Sequence, residues 1–532
     1  MNTRHLTLAC TILLLALSAC APAATPAAIA VESRPQATQR LPTHLPSRQP
    51  EPTRAPEIIS RPPVSTAAPA EREMPAPTQP PADNSFQDYG VNPQVDTRED
   101  HLSTFALDVD TAAYTVARRY IMDGSLPPFD AVRAEEFINY FDPGYTNPSE
   151  AGFAIYADGA PAPFQMGGQY VLRFGVQGYA VPEEQRKPAN LVFVIDTSGS
   201  MNMENRLGLV KQSLELLVDR LRPDDTLSIV QFGTNARIVL KPTRGSDQRA
   251  IRRAIAGLHP NGSTNAAQGL ELGYRMALEA YKPGGINRVI LCSDGVANTG
   301  LTNPDEILEQ IHGYISEGVT LTTAGFGMGN FNDTLMEQMA DKGDGQYFYI
   351  DTLDEAQRIF VDKITGTLQV IAKDAKVQVD FNEDVVAAYR LIGYENRDIA
   401  DQDFRNDSVD AAEIGAGISA TALYVVDLKP EAQGVIATVQ LRWQDPDSGQ
   451  VREMNGNFNT WDIASHFEET DPHYQLAVVV GQFAEILRQS PYADWNTLDD
   501  LTRCAARLAR TLHSDPDVAE FADLVERAAW LR

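Results

Sequence analysis

At 532 residues the chain is long enough for roughly two to four domains, each able to bury a core of its own. The 43% apolar content is ordinary for globular protein. A net charge of −28 argues against nucleic acid as a partner, because a phosphate backbone demands basic patches. The same acidity is compatible with cation binding, but by itself it describes only a solvated surface.

The first twenty residues read as an export signal. Arg4 and His5 give a basic start, and Leu6 to Leu17 is apolar but too short to span a bilayer. The signal ends Leu17-Ser18-Ala19-Cys20, which resembles the bacterial lipobox. That resemblance implies cleavage before Cys20 and lipidation of its sulfur, placing the chain on the outer membrane or on the outer face of the cytoplasmic membrane. Two or three acyl chains hold where one would not. An ordinary secretory signal is the plainer alternative. Residues 21–85 carry 15 of the 34 prolines and cannot bury enough apolar surface to fold, so they read as a semi-rigid tether. With Cys20 lipidated, the thiols left are Cys292 and Cys504, both in apolar-patterned surroundings where a buried free thiol is the simpler reading.

Residues 86–150 hold a helix through Arg118 and Ile121, a break at Gly124-Ser125-Leu126-Pro127-Pro128, and a second short helix from Val132 to Phe141. Asp108 and Asp110 lack the glycine and closing glutamate of a calcium loop, so capping of the first helix is their expected role. Residues 151–188 alternate in strand fashion, with Ile155, Ala157, Leu172, Phe174 and Val176 on one face.

From Asn190 the pattern changes. Leu191 to Ile195 is an apolar run too short for a helix and reads as a fully buried strand, leading into Asp196-Thr197-Ser198-Gly199-Ser200. Leu207, Val210, Leu214, Leu217 and Val218 follow at helical spacing. Strands are expected at Thr226 to Phe232 and Arg237 to Leu240, the latter an antiparallel edge. A helical stretch at 246–257 precedes the loop Asn261-Gly262-Ser263-Thr264-Asn265, and a helix covers Ala266 to Ala280. The strand Asn287 to Cys292 ends in Ser293-Asp294-Gly295. Strands at Val319 to Ala324 and Gln346 to Ile350 alternate with helices at about 304–316, 331–342 and 353–367. Such alternation gives a mostly parallel sheet with helices on both faces.

Three loops therefore bring carboxylates and hydroxyls to the carboxyl edge of one sheet, where open α/β sheets place their ligands. No Gly-x-x-x-x-Gly-Lys surrounds them, so a phosphate cradle is excluded. Hard oxygen donors of this kind suit Mg²⁺, Mn²⁺ or Ca²⁺. The bland alternative is a polar turn that caps the next helix.

Residues 190 to about 366 resemble a von Willebrand factor type A domain. Its metal-ion-dependent adhesion pattern Asp-x-Ser-x-Ser…Thr…Asp is matched by Asp196, Ser198, Ser200, Thr264 and Asp294. The resemblance implies that Ser198, Ser200 and Thr264 ligate a divalent cation, Mg²⁺ foremost, with the aspartates bound directly or through water. It also implies an open coordination position, completed by the Asp or Glu carboxylate of a protein partner.

Past this region Val377 to Phe381, Ala422 to Val426 and Ala437 to Trp443 again alternate with period two. Paired with 151–188 they form a β-sandwich into which the type A domain is inserted. From Tyr474 three amphipathic stripes predict a helical bundle packed on that sandwich. The division of the chain is then 1–20 signal, 21–85 tether, 86–150 amino-terminal region, 151–188 first sandwich strands, 189–367 type A domain, 368–465 remaining sandwich strands and 466–532 helical region. Taken whole, it is similar to bacterial lipoproteins of the YfbK kind.

A binding protein anchored to the membrane through its lipid is the function this implies, rather than an enzyme. Gly-x-Ser-x-Gly, His-Glu-x-x-His and a suggestive Cys–His pair are all missing from the sequence. A serine hydrolase would need a base near Ser198 or Ser200, and His259 is the one histidine in the neighbouring loops. An envelope scaffold with a purely structural metal is the remaining alternative.

Overall fold

The computed structural model describes residues 84–532 except 108, 151, 165–167, 296–303 and 329–330. The export signal, Cys20 and nearly all of the Pro-rich segment lie outside the described residues, as does Asp108. No helix among the described residues is long and apolar enough to cross a membrane.

The centre is a six-stranded sheet with the order Tyr347–Tyr349, Thr320–Gly325, Ile286–Ser293, Ala189–Asp196, Thr226–Phe232, Arg237–Arg244. Every pairing is parallel except the last, which forms the antiparallel edge. The strand Ala189–Asp196 is buried along its whole length because helices cover both faces. Val192 and Val194 point into a core with the helix Ala266–Glu279, while Leu191, Phe193 and Ile195 point into another with Arg206–Val218 and Gln248–Ala256. After Ala189–Asp196 the chain builds outward on one side, then returns to add Ile286–Ser293 on the other. The order thus reverses at Ala189–Asp196, and the crevice at its carboxyl end is where such sheets bind ligands. The expected helix 353–367 is instead two short helices, Leu353–Gln357 and Ile364–Leu368, joined by a π-helical turn at Arg358–Asp362.

This domain is inserted in a β-sandwich. One sheet has the order Val95–Asp96, Val386–Ile392, Ser419–Leu428, Tyr170–Gly178, Phe153–Pro161. The other runs Ala412–Gly415, Val370–Phe381, Val435–Gln444, Val451–Asn459, with Leu102–Ala106 added against Val370–Phe381. Phe174, Tyr424, Val379, Leu441 and Trp443 fill the space between the sheets. On the strand Ser419–Leu428, Tyr424 and Val426 face that core, whereas Leu423 and Val425 face the helices Pro472–Leu487, Leu498–Thr511 and Pro516–Leu531. The helices Ala112–Met122 and Ala134–Tyr140 join this bundle.

Residues 86–150 form the two expected helices, which join the bundle, and also give two strands to the sandwich. The capping role expected of Asp110 needs correction, while Asp108 lies outside the described residues. Asp110 accepts a hydrogen bond from the Tyr347 amide at 3.0 Å, and the Ala113 amide in the first helical turn donates to Glu136 at 2.7 Å.

Besides the Asp110–Tyr347 bond and the packing of Ala112, Val116 and Ala131 into its core, the inserted domain is joined to the rest at its ends and through buried ion pairs. Its covalent ends meet where the Lys187 amide donates to Gln369 Oε1 at 2.9 Å. Away from those ends, Arg118 of the bundle pairs with Asp351 and Glu355, and Arg133 with Asp333 at 2.8 Å, all of them buried.

Candidate functional site

Asp196 ends the central strand and Asp294 follows the neighbouring strand, so the parallel pairing itself sets the two carboxylates side by side. Both are fully buried. The loop after Asp196 is held by short-range bonds. The Ser198 amide donates to Asp196 Oδ1 at 2.8 Å, and the Thr197 hydroxyl donates to the Phe232 carbonyl at 2.9 Å. The second loop is braced to the first, with the Gly199 amide donating to the Gly262 carbonyl at 3.0 Å and the Asn261 amide to the Thr197 carbonyl. Gly262 sits at φ +82°, and a β-carbon there would lie 2.2 Å from Thr234 Oγ1, so only glycine fits the brace.

Ser198 and Ser200 bring their hydroxyls within 3.0 Å of each other. Ser198 occupies the position before the following helical turn without using its side chain as a cap, so helix capping does not account for it. In the second loop it is Asn265 that caps the next helix, accepting from the Gln268 amide, while the neighbouring Thr264 is buried beside the carboxylates' loops. The structure thus brings Asp196, Ser198, Ser200, Thr264 and Asp294 to one edge of the sheet. Gly199, Asn261 and Gly262 are exposed, so that edge opens to solvent. His259 is exposed, and among the described residues no hydrogen bond joins it to Ser198 or Ser200.

Two residues escaped the sequence reading. Ser293 donates its hydroxyl to Asp196 Oδ2 at 2.8 Å. Arg206, buried, donates to Asp294 Oδ2 at 2.9 Å and to the Met328 carbonyl. A signal for Arg206 was present: it is the first residue of the helix Arg206–Val218, where a cation opposes the helix dipole and calls for an acidic partner.

Burial, and then the neighbouring Asp294, pushes the Asp196 carboxyl up to about 7. Two buried carboxylates against one guanidinium leave the site short of positive charge. Among the described residues no group of three or more His, Cys, Asp and Glu side chains is arranged as a metal site. The donors here are two carboxylates and three hydroxyls, an all-oxygen set that fits a hard divalent cation and would relieve the Asp196–Asp294 repulsion.

Residues 190–363 match the family model described as von Willebrand factor type A domain, and residues 80–172 match one described as von Willebrand factor. Residues 366–531 match a third, described as "Uncharacterized protein YfbK, C-terminal". The YfbK protein of Escherichia coli (strain K12) is 34% identical over 470 residues, which cover 83% of this chain and 80% of that protein. The chain belongs to the YfbK family. A second relative of this family member, the Synechocystis protein sll0103, is 29% identical over 54% of the chain and 69% of its own length. Among solved structures, a von Willebrand factor type A protein from Catenulispora acidiphila aligns with 69% of the chain and 89% of its own at a TM-score of 0.41 and 16% identity. A type A domain in a YfbK-family chain supports a role in protein interaction or adhesion.

Proposed function

We propose that this protein is an exported lipoprotein, anchored through Cys20, that binds an acidic segment of a protein partner through a divalent cation. The cation, Mg²⁺ foremost with Mn²⁺ or Ca²⁺ also accommodated, is held by Asp196, Ser198, Ser200, Thr264 and Asp294. One observation carries the reading: two fully buried aspartates share a pocket of hydroxyls at an open sheet edge, with fewer positive charges than negative ones. When bound, the cation supplies a coordination position that an Asp or Glu carboxylate completes. The chain's residues do the rest. Ser198 and Ser200 present hydroxyls fixed by the loop brace, and Ser293 and the Ser198 amide orient Asp196. The protein works as a binder rather than as an enzyme. Its folded body stands off the membrane at the end of the Pro-rich tether.

Isothermal titration of Mg²⁺, Mn²⁺ and Ca²⁺ into the purified protein, beside its Asp196→Ala variant, tests the metal. Saturable binding that the variant loses is expected. Binding that raises the melting temperature without recruiting any acidic peptide would reassign the metal to a purely structural role. The anchor is tested by fractionation, where Cys20→Ser should move the protein from the membrane to the soluble fraction.

A further inference from the structure

The guanidinium of Arg206 is locked in place. It is held by Asp294 at 2.9 Å and by the Met328 carbonyl, and the backbone of Gly327 lies against its shaft. Gly327 has φ +84°, and a β-carbon there would fall 2.1 Å from Arg206 Nε, so the loop after Thr320–Gly325 is moulded on the arginine. A cation so seated lies directly against the Asp294 carboxylate. It cannot shed its charge, since a guanidinium is a permanent cation.

The charge count then has a direct consequence. With Asp196 and Asp294 ionised, Arg206 leaves the bare site with one negative charge in excess. A divalent cation converts this to one positive charge, and a carboxylate from outside restores neutrality. Without Arg206 the same cation would already neutralise the two aspartates, and an incoming carboxylate would meet no net attraction.

We propose that Arg206 is a resident counter-ion of the site, which stabilises it when no metal is bound and makes tight metal binding conditional on an acidic ligand. This rests on the metal site proposed above and assigns its ligand selectivity to a residue outside the adhesion pattern. Weak metal affinity in the free protein follows from Arg206, because a fixed positive charge near the site opposes the cation. Strong preference for anionic ligands follows from the same charge.

The test is titration of MgCl₂ into the full-length protein and its Arg206→Gln and Arg206→Lys variants, with sodium acetate or with NaCl at matched ionic strength, together with melting curves in EDTA and in Mg²⁺. Acetate should strengthen Mg²⁺ binding to the unmodified protein and to Arg206→Lys. Arg206→Gln should bind Mg²⁺ about tenfold more tightly without acetate and lose the acetate enhancement. It should melt lower than the unmodified protein in EDTA and recover in Mg²⁺, and folding only in Mg²⁺ would support the counter-ion role equally. Unchanged Mg²⁺ affinity and acetate enhancement in Arg206→Gln would overturn the proposal, as would enhancement lost alike in a folded Arg206→Lys. Failure of Arg206→Gln to fold with or without Mg²⁺ would reduce the residue to a brace for the 326–328 loop. If no form binds Mg²⁺, with or without acetate, the metal site itself falls, an outcome separate from all of these.

Discussion

Two buried clusters of charge in this molecule are built from the same residue types, and each holds one acid pushed well above its ordinary value. In the helical bundle Glu485 pairs with Arg390 at 2.9 Å and with Arg488 at 2.7 Å, and Arg488 also binds Glu395 at 2.8 Å. Burial alone would raise the Glu485 carboxyl, but Arg488 and Arg390 prevail and hold it below its ordinary value. The guanidiniums are then spent. Glu135, beside Glu395, pairs with no cation among the described residues, and burial followed by repulsion from Glu395 and Glu136 pushes it up to about 8. At the sheet edge one guanidinium faces two carboxylates, and Asp196 is the acid left over. A surplus acid buried as deeply as Glu135 is favoured in its protonated form. Asp196 differs in its surroundings, where the Ser293 hydroxyl donates to it and the Ser198 and Ser200 hydroxyls lie close by, an oxygen-rich set that would suit a hard cation.

The comparison breaks most visibly in the bundle. Arg488→Ala leaves Glu485 and Glu395 short of charge, and urea denaturation should show a loss of about 3–5 kcal/mol. Asp196→Asn, measured in EDTA, removes a surplus charge instead and should change stability by less than about 1 kcal/mol. Equal losses in the two variants would mean that the rim is as balanced as the bundle. Next in size is ligand stabilisation. At Mg²⁺ a hundredfold above its dissociation constant, the unmodified protein should gain about 2.7 kcal/mol in thermal melts, and Asp196→Asn nothing.

A pH series sharpens the contrast. Glu135 is raised above its unfolded value of about 4.3, so the stability it contributes is complete below that value and is lost as pH rises through about 8. Asp196 has the same sign and a folded value of about 7. Melting temperature in EDTA should therefore fall between about pH 5 and 8. Glu135→Gln should remove the bundle's share of that slope, and saturating Mg²⁺ the rim's. The smallest effect belongs to a single hydroxyl. Thr264→Ala should weaken Mg²⁺ binding by about tenfold in titration, while Thr264→Ser stays near the unmodified affinity.

How much of this could be read from sequence depended on whether a feature had a local signal. The run Leu191 to Ile195, buried on both faces, and the alternation of Ala437 to Trp443 declare their environments within a few residues. The five adhesion-pattern residues likewise sit at the strand end and in the following turns and loops, whose positions the strand–helix order dictates. Leu102–Ala106 was different. It is a strand because it pairs with Val370–Phe381, some 270 positions away, as in Lys376 against Ala106. Nothing in Leu-Ser-Thr-Phe-Ala announces that partner. Asp110 was assigned to the nearest helix for the same reason, although it accepts from the distant Tyr347 amide and lies near Arg397. Arg206 and Ser293 lie inside the pattern's span at positions the pattern does not specify, and only the folded geometry connects them to its aspartates.

The hydrogen bond between Lys187 and Gln369 bears on how such a chain could arise and be re-engineered. Because the two ends of the inserted domain touch, its genetic removal or replacement would need little new linker, and the sandwich strands on either side would keep their spacing. The obstacle lies elsewhere. A transplanted domain would have to bring acids equivalent to Asp351, Glu355 and Asp333, or leave Arg118 with Glu520 and Arg133 with Glu136 as their remaining acidic partners among the described residues. Exchange between relatives is therefore limited by which charges the newcomer carries on its flank, and hardly at all by where its termini fall.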